Sequence, residues 1–504
     1  MKQLFSIFFF FLSFANGYAQ SIQWGEQVKL KGKSRMSKII GADSSGFISV
    51  IAQYKLVGKP DAIVDHYQLP SLTSQSSFVL PEAEGELDVM YELGDEIYAF
   101  YVNQVKSNKQ FHAYAVKANA PSMKFDLGTI QYSRGSQRGT FGFIPSEDRS
   151  KLLVIENPPY EKYSMEEFKL TLYDSSLTKL WDKGIKLPYL DQDFKIVKCK
   201  VDQYGSVYLL TAHKNISSKQ SDFKGLPLKN YTVLVYNKEQ NRLKEFEIKL
   251  KDKWVNGLNI AFDKDGDLVV GGFYSISKDY SISGTFFLTI NAKTLGIKNK
   301  SLNPFTQGFL DQFARGKRME GNKKLDDYYF DHLVIADDGG AYFTAEQYYV
   351  RTTSYYDHRT GVTNYTYYYH YNDIVVVKMD ASAKVIWTKR IAKRQVTNDD
   401  NGYYSGYAVS VNNKGLHILY NDNSKNFDPN TETKDRPMNN PQKSMATILT
   451  ISQLGEVSKK PLFSAQEYQT ILQPRMSKRI GMDRILVYTQ KGKTFRFATI
   501  NFTE

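Results

Sequence analysis

Short apolar runs recur along the whole chain, each rich in Val, Ile, Leu, Phe or Tyr, and polar turns of one kind divide them. Asp43-Ser-Ser-Gly46, Asp202-Gln-Tyr-Gly205, Asp263-Lys-Asp-Gly266, Asp337-Asp-Gly-Gly340 and Asn412-Asn-Lys-Gly415 each stand between two such runs. Asp or Asn can bond the turn backbone and Gly supplies a positive φ, so these read as hairpin turns. Weaker versions occur at Gly94-Asp95, at 146–150 and at 481–484, which makes eight in all. Asp43 and Asp202 are 159 residues apart, or three units of 53, and the later units lengthen to 61, 74 and 75. Periods of this size suit four-stranded blades.

The clearest unit predicts strands at 194–201, 206–213, 231–236 and 243–250, with most of the apolar mass in the inner ones. Its outer strand follows a motif seen elsewhere: Trp181-Asp-Lys-Gly-Ile-Lys-Leu187 closes the unit before it, and Trp387-Thr-Lys-Arg-Ile391 repeats the pattern more weakly. Trp24-Gly-Glu-Gln-Val-Lys-Leu30 carries the same pattern at the start of the chain, with no unit before it to close. At the other end, strands around 476–481, 484–489 and 494–502 lack a fourth. The first strand is therefore predicted to complete the last sheet, which would bury two exposed edges and close a ring. The fold class is all-β, a β-propeller of eight four-stranded blades, or seven if the weak second or third unit is misread.

A second repeat supports the seam. Arg35-Met-Ser-Lys38-Ile-Ile-Gly41 opens the first blade and Arg475-Met-Ser-Lys478-Arg-Ile-Gly481 opens the last, so both should line the channel side by side. Arg35, Lys38, Arg475 and Lys478 then repel one another unless water or an anion separates them. They form a candidate anion site at the channel entrance, weighed against solvated loop charges.

The connections are unequal. Turns at Asp174, Asn237, Asn291 and Asp380 are short, while the long insertions at 214–230, 303–327, 351–370 and 421–444 all belong to the opposite face of the disc. Loops displayed by a rigid scaffold carry function, so that face is the expected binding face. Its main element is a hairpin at 351–370, where Tyr355, Tyr356, Tyr365, Tyr367 and Tyr369 flank a tip containing Arg359. Tyrosine combines an apolar ring with a polar end and is favoured in contact surfaces; it is also a good strand former, the plainer explanation. A short helix is expected in 303–327, with Phe305, Phe309, Leu310 and Phe313 inward and Arg315, Lys317 and Arg318 outward. Residues 421–444 read as a polar, mobile loop.

Composition refines this picture. The 504 residues include 36 Tyr and 31 Phe, which suits pleated half-buried strands. Lys2, the apolar stretch 4–14 and Gly17-Tyr18-Ala19 form a signal peptide cut after Ala19, so residues 20–504 are expected to be one exported propeller domain. Nothing later in the sequence is long and apolar enough for a transmembrane helix, so an integral membrane protein is not expected. The lone Cys199 can form no internal disulfide and is expected to be a buried strand residue. A net charge of +13 disfavours basic partners and suits acidic glycans, anionic headgroups or acidic proteins. Nucleic acid is disfavoured by export and by the want of a binding module. No Gly-x-Ser-x-Gly, phosphate loop, His-Glu-x-x-His or Cys-His array occurs. Asp263-Lys-Asp265-Gly-Asp267 begins like an EF-hand loop but lacks the distal Glu, and His332 precedes an inner strand where it could face the channel, though a lone histidine is more often structural. No catalytic residue, metal or cofactor is assigned.

Gly17-Tyr18-Ala19-Gln20, the Trp-x-x-x-(Ile/Val)-Lys-Leu strands and the Asp-x-x-Gly turns together resemble exported β-propeller proteins of Bacteroidota-type bacteria. The chain lacks the tryptophan-docking repeat and adjacent cysteine pair of quinoprotein dehydrogenases and the Asp-box of sialidases. The function expected is a non-enzymatic protein, periplasmic or secreted, docking on an outer-membrane assembly, a secretion or uptake channel by analogy with envelope propellers. The alternative is a lyase or hydrolase acting on acidic polysaccharide with Tyr, His and Arg at the channel mouth.

Overall fold

A computed structural model describes residues 21–502 except 81–82, 134–136, 214–230, 240, 280, 314–324 and 431–435. The expected signal peptide lies outside the described residues. The strands form eight antiparallel sheets. Residues 33–79, 86–131, 140–190, 194–248, 254–304, 328–391 and 408–464 each make one four-stranded sheet in chain order, the sixth with an added strand at Gln395–Asn398, and the eighth draws on both ends of the chain. First strands of neighbouring sheets touch one another, which places them innermost. The fold is an eight-bladed β-propeller.

Middle strands read as continuous apolar runs because each is covered on both faces by the adjacent blades. Val207–His213 and Leu268–Ser275 are buried at every position. Between the third and fourth blades Leu153, Ile155 and Trp181 pack with Val207, Leu209 and Leu234 in one apolar cluster, and each fully buried aliphatic side chain of this kind contributes about 1.5–3 kcal/mol.

The ring closes as the termini predict. Ile22–Trp24 and Val28–Lys29 both pair antiparallel with Thr494–Asn501, setting Ile22 opposite Ile500, Trp24 opposite Ala498 and Val28 opposite Phe495. The expected single strand over 24–30 is, however, two short ones. A Cβ on Gly25 would lie 2.9 Å from Leu72 Cβ, so only glycine lets the first blade approach the closing strand this closely. Gly25 N–H still donates to Phe497 O at 2.9 Å, and the chain bows out at Glu26 and Gln27 before re-entering. Trp24 then packs edge-on to Phe463 at 4.9 Å and stacks on Tyr468 at 5.5 Å, with the Arg496 guanidinium 3.8 Å above its ring.

Three further expectations are corrected. The inner strand of the eighth blade is only Lys478–Arg479, because Pro474, with its fixed φ and no N–H, starts a 3₁₀ turn over Pro474–Met476. The segment expected to be a polar mobile loop is largely built: strand Gly415–Asn423 runs on into a 3₁₀ turn at Ser424–Phe427, Asn426 is buried on Asp422 and the Arg436 carbonyl, and Met438 is buried beside Gln395. Cys199 lies on strand Phe194–Val201 as expected but is half-buried. In the 303–327 insertion a helical turn at Gln307–Leu310 buries Phe309, and Phe305, Leu310 and Phe313 pack against the same core; Arg315, Lys317 and Arg318 lie outside the described residues. The acids of the EF-hand-like turn serve the turn itself. Asp263 Oδ1 accepts from the N–H groups of Asp265 and Asp267, and Asp267 pairs with Lys298 at 2.9 Å.

Candidate partner-binding face

The predicted hairpin is a two-stranded ribbon. Strands Ala341–Asp357 and Val362–Met379 run well past the ring, pairing from Tyr348 opposite Tyr371 to Asp357 opposite Val362 around a turn at 358–361. Partners across the ladder share a face, and alternate residues face opposite ways. One face therefore carries Tyr348, Tyr371, Val350, Tyr369, Tyr367, Tyr365 and Tyr356, and the other carries Tyr349, His370, Arg351, Tyr368 and Tyr355. Of the six residues expected to bind a partner, Tyr356, Tyr365, Tyr367 and Tyr369 share the first face, Tyr355 is on the second and Arg359 is in the turn. Tyr355, Tyr356, Tyr365 and Tyr367 are 69%, 48%, 59% and 43% exposed, too much for rings serving only to hold a ribbon together.

A ribbon this thin has no core of its own, and its base is held by a buried polar network. The Lys393 ammonium, buried in the connection to the seventh blade, pairs with Glu346 at 2.7 Å and donates to the Tyr371 carbonyl at 2.8 Å and to Gln395 Oε1 at 2.9 Å. Gln395 Oε1 also accepts from Gly406 N–H, and its amide donates to Asn421 O. Asp373 is clamped by Arg390 at 2.8 Å. Gly402, at φ +64, allows the Tyr371 ring to lie where a Cβ would be 2.4 Å away. Burial lowers the Lys393 pKa, opposed first by Glu346. None of Glu346, Lys393 and Gln395 was marked by the sequence, since nothing local to residues 346 and 393 shows that they meet.

The four cations expected at the channel mouth lie on the innermost elements of the first and eighth blades. Arg35 stacks over Tyr403 at 5.1 Å, Arg475 over Tyr371 at 4.6 Å and Lys38 over Tyr91 at 4.6 Å. Lys38 and Lys478 do sense each other: burial and then the Lys478 charge lower the Lys38 pKa, while Asp88 opposes them. The Arg475 to Tyr371 contact ties the eighth blade's innermost turn to the root of the ribbon.

One inner-strand feature had no sequence signal. The strands beginning the first, second, fourth, fifth and sixth blades are each interrupted by a bulge, at Ser37, Asp88, Val197, Asn256 and Asp331. A bulge re-aims a side chain. In the sixth blade it leaves Asp331 open to water, though its Oδ2 accepts from Tyr407 O–H at 2.8 Å. His332, edge-on to Tyr407 at 5.3 Å, is pushed down to about 4 by burial and by Lys198, and so is neutral at pH 7.

A cleft of about 800 Å³ opens on this same face between the third and fourth blades, lined by Arg138, Tyr160, Glu166, Lys186, Asp191 and Lys195. Burial and then the adjoining Asp191 and Glu167 push the Glu166 carboxyl up to about 7. A raised carboxyl pKa means that the folded state holds the proton more tightly than the unfolded chain. Its stabilising contribution is complete below about pH 4.5 and is lost as pH rises through about 7. Thermal melts between pH 4 and 8 should show wild type losing stability relative to Glu166→Gln over that window; parallel curves would contradict the assignment.

No protein-family model matches the chain, and no curated protein does. Among solved structures it is similar to the WD40 domain of SCAP from fission yeast, at 8% identity over 97% of this chain and 99% of that one with a TM-score of 0.42. It is also similar to the β-propeller domain of the Trilobed protease from Pyrococcus furiosus, at 12% identity over 86% of this chain and 99% of that one with a TM-score of 0.37. The polysaccharide lyase Uly1 aligns at 9% identity over 94% of this chain and 100% of that one, again with a TM-score of 0.37.

Proposed function

We propose that the protein is a non-enzymatic, exported interaction propeller that docks its long-loop face on an outer-membrane protein assembly, with a secretion or uptake channel the leading kind. The observation carrying this reading is the ribbon: a tyrosine face, exposed to solvent, on a base fixed by buried charges. Rigid tyrosines lose little side-chain freedom on binding and anchor contacts well. The adjoining Arg35, Lys38, Arg475 and Lys478 favour a partner with an acidic surface. The outer-membrane assignment rests on the signal-peptide pattern and on the resemblance to exported propellers.

The test is purification of the tagged protein from native membranes. A stoichiometric outer-membrane partner is expected, retained at moderate salt and weakened as salt rises. The cleft supports a second reading, an enzyme on acidic polysaccharide with Glu166 as proton donor. Partner-free protein that shortens such a polysaccharide, with Glu166→Gln inactive, would overturn the first reading in favour of the second.

A further inference from the structure

The ribbon has two edges, and they are treated differently. Along Val362–Met379, Gln395–Asn398 pairs with residues 368–371, while Tyr367 N–H donates to Asp399 Oδ1 and Tyr367 O accepts from Asp399 N–H, both at 3.0 Å. Among the described residues no strand pairs with the opposite edge beyond Tyr348. Tyr348 N–H donates to Asp327 O at 2.9 Å, so it points away from the paired strand, whereas the Asp357 carbonyl points inward and accepts from Gly361 N–H. The ladder between them has no register shift. By the two-residue alternation of a strand, the N–H and C=O groups of Val350, Thr352, Ser354 and Tyr356 all face outward. These residues are exposed, and the edge from 349 to 356 carries no proline and no bulge, with Arg351 its one charged residue.

We propose that a second copy of this chain occupies that edge, the two ribbons joining antiparallel about a twofold axis at Thr353. This axis uses the whole free edge and matches its chemistry. Val350 falls opposite the second copy's Tyr356, and Thr352 opposite its Ser354, so apolar meets apolar and hydroxyl meets hydroxyl on one face. On the other face Arg351 lies against the second copy's Tyr355, a cation on a ring, and Thr353 meets its own counterpart. No like charges are set directly opposite. Each copy donates from the four outward N–H groups and accepts at the four outward carbonyls. The product is a four-stranded sheet in place of a marginal two-stranded ribbon. One face of that sheet carries Tyr356, Tyr365, Tyr367 and Tyr369 from both copies. The pairing stands on edge geometry alone, whatever the tyrosine face binds.

Sedimentation of the mature chain at micromolar concentration, in enough salt to screen its positive charge, should give twice the chain mass. Ser354→Pro removes an outward N–H while leaving the ribbon's own ladder intact, and should return a single-copy mass. Directly opposed residues of a non-hydrogen-bonded pair are about 4.5 Å apart at Cα, close enough for a disulfide. In a Cys199→Ser background, Thr353→Cys should therefore cross-link two copies under mild oxidation, and Tyr355→Cys should not. A single-copy mass at every concentration, a dimer unaffected by Ser354→Pro, or equal cross-linking at 353 and 355 would each overturn the proposal.

Discussion

Trp24→Ala should destabilise the whole propeller by about 3 kcal/mol, near the lower end for losing a packed tryptophan together with a cation on its ring. Deleting residues 21–30 should abolish the cooperative melt altogether. The effect is large because these residues belong to no local structure of their own. Trp24 joins Phe463 and Tyr468 before the eighth blade to Arg496 on the last strand of the chain. Without the segment, Thr494–Asn501 becomes an open edge, and Phe495 and Phe497 lose the cover that Val28 and Leu30 provide. Chemical denaturation of wild type and Trp24→Ala at equal protein concentration measures the difference. An unchanged midpoint would mean that the first strand is decoration.

The second large effect is expected at the root of the ribbon. Lys393→Ala leaves the Glu346 carboxylate, the Tyr371 carbonyl and Gln395 without their shared donor inside the protein. Removing one partner of a buried ion pair costs about 3–5 kcal/mol, far more than the pair's net contribution, because the remaining charge stays buried and uncompensated. The double variant Lys393→Met/Glu346→Leu should therefore recover most of the loss. Hydrogen exchange would add a local readout, with the amides of Gln395–Asn398, paired to the base of the ribbon, opening sooner in Lys393→Ala. Equal destabilisation by the single and double variants would show that packing, not charge, holds the base.

Much of this architecture was legible because propeller blades repeat. The Asp-x-x-Gly turns located the hairpins, and the stray copy of the Trp181 motif at Trp24 identified the strand that closes the ring. The 194–248 blade matched its predicted strands to within about two residues at each end. What escaped were features made by residues far apart in sequence. Gly25 leaves room for Leu72 of the first blade to lie against the closing strand, and no pattern near residue 25 records that contact. Lys393 and Glu346 are 47 positions apart and meet only once the sixth blade has folded. The inner-strand bulges, which set Asp331 open to water, leave apolar spacing almost unchanged. The ribbon lay between these cases. Its tyrosines were plain in the sequence, but the division of Tyr355 from Tyr356, Tyr365, Tyr367 and Tyr369 between two faces needed the ladder register.

The most direct measurement is to cut the ribbon off. Replacing residues 350–369 with a two-residue turn removes the exposed tyrosines and leaves the ring strands and Lys393 in place. Purified from native membranes, this variant should melt close to wild type and bring down no outer-membrane partner. A folded variant that still recovers the partner in full stoichiometry would contradict the account.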